Sequence, residues 1–233
     1  MGALFAGLLA RAGSHVTVLD ASPAVVTAIN AAGVTVTTSD ESFTVPVRAA
    51  TNPKEIDGVD AIFLFVKCYH THAAIKFAAP LLASKPHVVS LQNGWGNGPL
   101  LAREANGSEL VIGVTYVSST VVEPGKVACR LGGQTFVGPY NRADPKPAQW
   151  VAQLIGDAGL DVTVADPVEL EIWRKLVLNA ATLPTSAISR LPAGRMYGHP
   201  EMRQVVDDAA REAVAVARAS GYPLDEQECL DTI

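Results

Sequence analysis

Lys175 and Asn179 lie four residues apart in residues 171–188, EIWRKLVLNAATLPTSAI, in otherwise apolar company. On a helix that spacing stacks the two side chains on one face. Leu170, Trp173, Leu176, Val177, Ala180 and Ala181 supply the apolar remainder that would bury the segment. An amine taken out of water holds its proton less tightly, so a lysine here can act as a proton donor, and an asparagine beside it can orient a hydroxyl or a carboxylate. The same residues admit a plainer reading. Glu171 precedes Lys175 by four, the favourable order for a helix ion pair worth roughly 0.3 to 0.5 kcal/mol, and Asn179 could face water.

The elements that must position these groups alternate between helix and strand. Residues 2–12 read as a helix of small residues and leucines stopped at Gly13, and residues 15–19, HVTVL, as a strand ending in Asp20. Ser22 and Pro23 then open a second helix as cap and first-turn residue, and Gly33 closes it. In a dinucleotide-binding βαβ unit the acid after the second strand accepts hydrogen bonds from the adenosine ribose, about 20 residues after the glycine loop, and Asp20 stands at that place. Gly2 fits as the last glycine of such a loop, or simply as a flexible residue. The first strand and the start of the loop are missing. A doubly wound sheet sets that strand centrally, so the expectation is a gap in the sheet and a chain that is a fragment or has a misassigned start.

Further along, residues 34–47 read as a peripheral hairpin turning near Ser39 to Glu41, and the apolar run 60–66, DAIFLFV, as a parallel strand covered on both faces. Lys67 follows at once, where a cation meets a phosphate or ribose beyond the strand end, or is merely solvated. A helix over 72–82 and a strand over 87–91 lead to Gln92, Asn93 and Gly94. In QNGWGN the glycines allow close backbone approach and Asn93 can present an amide to a ligand. Strands at 110–117 and 127–131 bracket a turn at Glu123, Pro124 and Gly125. A strand at 135–137, a helix at 148–158 and a strand at 161–164 follow, after which the chain reads as helical. The fold class is therefore α/β: a Rossmann-type parallel sheet domain lacking its first strand, residues 1–165, followed by an incomplete all-helical domain, residues 166–233.

Composition narrows the function classes. Across 233 residues, 48% are hydrophobic and 18% charged, the balance of a packed globular chain. A net charge of -5 without any run of Lys or Arg leaves no footprint for nucleic acid or an anionic membrane surface, so a small-molecule ligand is expected. No apolar stretch reaches the roughly 18 residues that span a bilayer, and the N-terminus fits neither a secretory signal nor a myristoylation site. Cys68, Cys129 and Cys229 are odd in number and far apart, which suits a reducing cytoplasm and suggests neither a disulfide framework nor zinc. His70 and His72 have no ligand set around them, and no metal is expected.

Three pieces in this order, VKCYHT at 66–71, LQNGWGN at 91–97 and WRKLVLNAATLPTSAI at 173–188, resemble the ketopantoate reductase family, 2-dehydropantoate 2-reductases. MGALFAGLLARAG, IGVTYVSSTVVEPGKV and QTFVGPY are similar as well, so the likeness spans almost the whole chain. The resemblance implies a Rossmann domain, a helical domain, and hydride transfer from NADH or NADPH to a 2-oxo acid, as in the reduction of ketopantoate to pantoate for pantothenate biosynthesis. It implies Lys175 as the general acid on the keto oxygen, Lys67 as a cofactor contact, Asn93 as a cofactor and substrate contact, and Asn179 as a substrate contact.

Three departures accompany the likeness. Leu183 replaces the family's second substrate asparagine, the pocket serine and glutamate would lie beyond Ile233, and LDASP lacks the arginine that meets the 2′-phosphate of NADPH. Asp20 in that place favours NADH. Alternatives are a related NAD-dependent D-2-hydroxyacid dehydrogenase for another branched or aromatic 2-oxo acid, and a dinucleotide-binding fragment without turnover. The family is also compatible with a homodimer.

Overall fold

The computed structural model describes residues 1–233, the side chain of Ala193 excepted. In chain order the elements are α1 (Gly2–Arg11), β1 (Thr17–Leu19), α2 (Pro23–Ala32), β2 (Val34–Thr37), β3 (Ser42–Val45), β4 (Arg48–Ala50), β5 (Ala61–Leu64), α3 (Thr71–Phe77) and β6 (His87–Ser90). There follow α4 (Asn97–Glu104), β7 (Leu110–Thr115), β8 (Ser118–Glu123), β9 (Lys126–Arg130), β10 (Thr135–Pro139), α5 (Lys146–Asp157) and β11 (Val162–Val164). The remainder is helical: α6 (Glu169–Ser189), α7 (Ala193–Met196), α8 (Pro200–Ala219) and α9 (Glu226–Thr232). Two compact units result, one of Met1–Gln92 with Gly96–Val168, the other of Asn93–Trp95 with Glu169–Ile233.

In the first unit, α1 is the helix around which the core forms. Leu4, Phe5, Leu8 and Leu9 recur at helical spacing and are buried, which is the apolar stripe that lets a short helix pay for its own ordering. Phe5 sets its ring 4.7 Å from Phe65 and 6.4 Å from Phe63, the side chains of β5 and the residue just after it. Gly7 brings the helix close on its other side: a Cβ there would stand 2.7 Å from Val36 and 3.1 Å from Val34.

The parallel strands fall into two groups. β5, β6 and β7 are parallel neighbours in a five-stranded sheet of order β11-β10-β7-β6-β5, in which only β10 and β7 run antiparallel. Every residue of β7 is buried, as expected of a strand covered on both faces. β1 and β4 form a separate parallel pair. Among the described residues no ladder joins β1 to β5. On the outer margin of β4, the Asn30 amide takes both main-chain groups of Ala49, donating to its carbonyl at 2.9 Å and accepting from its N–H at 2.8 Å.

Four local expectations are corrected. The hairpin of β2 and β3 is not peripheral, because β2 also pairs in parallel with β9, giving a sheet of order β3-β2-β9-β8, and Val34 and Val36 are fully buried under α1. β8 was hidden in the sequence because nearly all of it is exposed, so no alternation marks it. The helix expected over 72–82 ends at Phe77 and resumes as a 3-10 turn over Ala79–Ser84. Pro80 lacks an N–H and disfavours helical geometry in the residue before it. Ser22 occupies the N-cap of α2, but its hydroxyl makes no capping bond. The Asp20 carboxylate instead accepts from the Ser22 N–H at 2.8 Å.

The second unit is a helical core. Trp173, Val177 and Ala181 of α6, spaced for one face, meet Val206, Ala210 and Val214 of α8, and α9 adds Cys229 and Leu230. The α/β class with a helical second unit is the one the sequence implies.

Candidate active site

Because α6 spends Trp173, Val177 and Ala181 on its own core, residues two positions later in each turn lie on a different face. Lys175, Asn179 and Leu183 form that stripe. Lys175 and Asn179 are half-buried, and Leu183 is exposed. Burial lowers the Lys175 ammonium from its ordinary 10.5 to about 8, since the charged form loses hydration that the neutral amine needs less. Glu171, the candidate ion-pair partner of Lys175, accepts a hydrogen bond from Arg174, and Arg174 also reaches Glu228 at 3.4 Å. Acidic residues in the first turn of α6, Glu169 and Glu171, complement the helix dipole there. Beyond Asn179 the helix continues through Pro184, which cannot donate to the carbonyl one turn back. Thr182 and Thr185 nearby donate their hydroxyls to Leu178 and Ala181 at 2.7 and 2.8 Å.

Asn93 joins this group through the chain path. It sits one residue past Gln92, in the short segment Asn93–Trp95 that belongs to the helical unit. Lys175, Asn179 and Asn93 are thus brought into one body. Trp95 and Tyr222, which sequence reading did not single out, pack on the core face of α6 instead: Trp95 lies 4.8 Å from Trp173 and 5.1 Å from Tyr222, ring centre to ring centre. No local pattern could have revealed a contact across such sequence separations.

Gly2, Asp20 and Lys67 belong to the other unit. Gly2 opens α1, where an added Cβ would stand 3.6 Å from Phe65, an ordinary distance, and Lys67, exposed just past β5, is close enough to lower the pKa of the residue 1 amino group, after the larger effect of burial. Lys67 therefore shares an end of the unit with the start of α1. Asp20 continues β1 by donating its N–H to Ala50 at 3.1 Å and has one carboxylate oxygen fixed by Ser22. A carboxylate held by the backbone after β1, a cation after β5 and a glycine opening α1 are a donor set that fits the ribose and phosphates of a dinucleotide. Among the described residues no group of three or more His, Cys, Asp and Glu is placed to hold a metal ion, and no helix is long and apolar enough to cross a membrane.

A parallel α/β unit with these groups, joined to a helical unit whose long helix carries a half-buried lysine, defines a dinucleotide-dependent oxidoreductase. The family models agree: residues 1–142 match ketopantoate reductase PanE/ApbA and residues 167–233 match its C-terminal model. The chain belongs to the ketopantoate reductase PanE/ApbA family. A 2-dehydropantoate 2-reductase of Halobacterium salinarum is 28% identical over 227 residues, covering 97% of this chain and 75% of that protein. The crystal structure of 2-dehydropantoate 2-reductase from Geobacter metallireducens is 26% identical with a TM-score of 0.89, covering 98% of this chain and 77% of that one. D-mandelate dehydrogenase with NADH and anilino(oxo)acetate gives a TM-score of 0.93 at 20% identity, over 100% of this chain and 75% of that one, a likeness of fold.

Proposed function

We propose that the chain reduces a 2-oxo acid, 2-dehydropantoate, at the expense of a nicotinamide dinucleotide, with Lys175 as general acid. The observation that carries this reading is a half-buried lysine whose pKa falls to about 8, on one helix stripe with Asn179 and in one unit with Asn93. Bound NAD(P)H supplies the hydride that adds to the carbonyl carbon. Lys175 hydrogen-bonds the keto oxygen, stabilises the negative charge that grows there, and passes its proton to that oxygen, leaving a neutral amine and a 2-hydroxy acid. A fixed cation at such a position is worth several kcal/mol in a water-poor site. Asn179 and Asn93 orient the substrate through their amides, Asn93 also toward the cofactor, while Gly2, Asp20 and Lys67 bind the dinucleotide within residues 1–165 and the helical residues 166–233 bind the acid.

Asp20 further supports NADH over NADPH. Its carboxylate suits two ribose hydroxyls and repels a 2′-phosphate, and residues 20–24 contain no arginine to offset it. The test is oxidation of NADH and NADPH by the purified protein with 2-dehydropantoate. Turnover with either cofactor supports the reading. Tight dinucleotide binding with no turnover of any 2-oxo acid would replace the enzyme with a binding module.

A further inference from the structure

Trp95 occupies an unusual position between two turns. Gln92 ends the strand path on a fixed point: its Nε2 donates to Val66 at 2.7 Å and to Thr71 at 2.9 Å, and its Oε1 accepts from Ser90 at 2.9 Å. Past it, Gly94 and Gly96 have φ of 91° and 94°, left-handed conformations that side chains resist, so the chain turns on either side of Trp95. Although 42% exposed, the Trp95 ring lies tilted against Trp173 and edge-on to Tyr222. Trp173 lies on the core face of α6, turned away from the Lys175 stripe, and is only 5% exposed; its Nε1 is buried without a hydrogen-bond partner, so packing alone fixes that ring.

We propose that Trp95 is a positioning residue. By anchoring its loop on Trp173 and Tyr222, it sets the Asn93 amide, two residues away, relative to Lys175 and Asn179. This rests on the reading of Asn93 and Lys175 as substrate contacts given above. A loop between two glycines has many conformations, and an aromatic ring held in a cluster removes most of them. Rings 4.5 to 7 Å apart in tilted or edge arrangements are the geometry in which aromatic pairs attract. The alternative is that the cluster only buries surface, and then Trp95 would matter for stability without acting through Asn93.

Steady-state kinetics with 2-dehydropantoate on the full chain separates the two, using N93A, W95A, W95F and the N93A/W95A double variant, with thermal unfolding in parallel. Misplacement of a substrate-orienting group by about an ångström costs on the order of a hundredfold. The expected result is that W95A lowers kcat/KM by about ten- to a hundredfold and W95F recovers to within about threefold. The double variant should be no worse than N93A, because two residues acting as one unit are not additive. A W95A value within about threefold of the parent, or a double variant showing the product of the two single losses, overturns the inference. If W95A does not fold, the smaller W95F loss must vanish in the N93A background, and its persistence there overturns the inference equally. An N93A variant of parental activity would sink the assignment of Asn93 itself and this inference with it, whereas an active Asn93 with an independent Trp95 sinks only the latter.

Discussion

Replacing Lys175 by methionine isolates what burial costs this lysine. Because the ammonium pKa falls from 10.5 to about 8 on folding, the unfolded chain binds more protons than the folded one between those two values, and stability rises with pH across that window. Below about pH 8 both states are charged and the folded state bears the full penalty. At 1.36 kcal/mol per tenfold change in proton affinity the penalty is about 3 kcal/mol, and partial solvent contact reduces what is realised to roughly 1 to 3 kcal/mol. Methionine keeps most of the length of the side chain, one atom short, and removes the charge. K175M is therefore expected to be more stable than the parent at pH 7, by a few degrees in Tm for each kcal/mol in a chain of this size, with the advantage shrinking toward pH 10.5. The same variant should lose turnover by a factor on the order of hundreds, since a positioned acid is gone. In the parent, kcat/KM should decline above about pH 8 as the free enzyme's lysine deprotonates. Urea unfolding at two pH values and a pH profile of kcat/KM check all three. A K175M variant less stable than the parent at pH 7, or a flat profile from about pH 6 to about pH 10, would refute the reasoning.

Other outcomes follow from the geometry. Asn179→Ala should lower kcat/KM by about tenfold or more, chiefly through KM if the amide holds the acid equally in the ground and transition states, as initial-rate kinetics will tell. Asp20→Ala should cut the NADH-to-NADPH ratio of kcat/KM by about tenfold or more, and an unchanged ratio would remove Asp20 from cofactor choice. Gly7→Val should destabilise the chain by about 1 to 3 kcal/mol in urea titration, because Val34 and Val36 already fill the space a side chain would need and neither can swing away.

What the sequence disclosed was whatever short-range physics controls. The apolar period of α1, the run in β5 and the spacing of Lys175 and Asn179 each follow from neighbours within a turn or two, so residue type and position were enough. Long-range partners were not legible. The pairing of β2 with β9 joins residues some ninety positions apart by backbone groups that every residue has, and nothing in VTVT names its neighbour. The turn in which Asp20 accepts from the Ser22 N–H was equally hidden, because Ser22 alone satisfies the usual N-cap preference and yet its hydroxyl makes no capping bond. α4 was missed for a local reason: NGP in its first turn reads as a loop, although proline is well tolerated there. Trp95 illustrates the limit for the site itself, since its weight comes from rings on α6 and just beyond α8.

The Asn30 amide on the margin of β4 bears on how this chain lives among copies of itself. An open sheet margin offers unpaired N–H and C=O groups on which any extended strand can polymerise. Here a side chain imitates one peptide unit of a neighbouring strand, donor to acceptor and acceptor to donor, and so occupies the template at Ala49 without a covering loop. Few side chains could do the same at position 30: aspartate lacks the donor, alanine lacks both groups, and glutamine carries both but on a longer arm. Loss of the Asn30 amide would leave the Ala49 N–H and C=O open to a neighbouring strand.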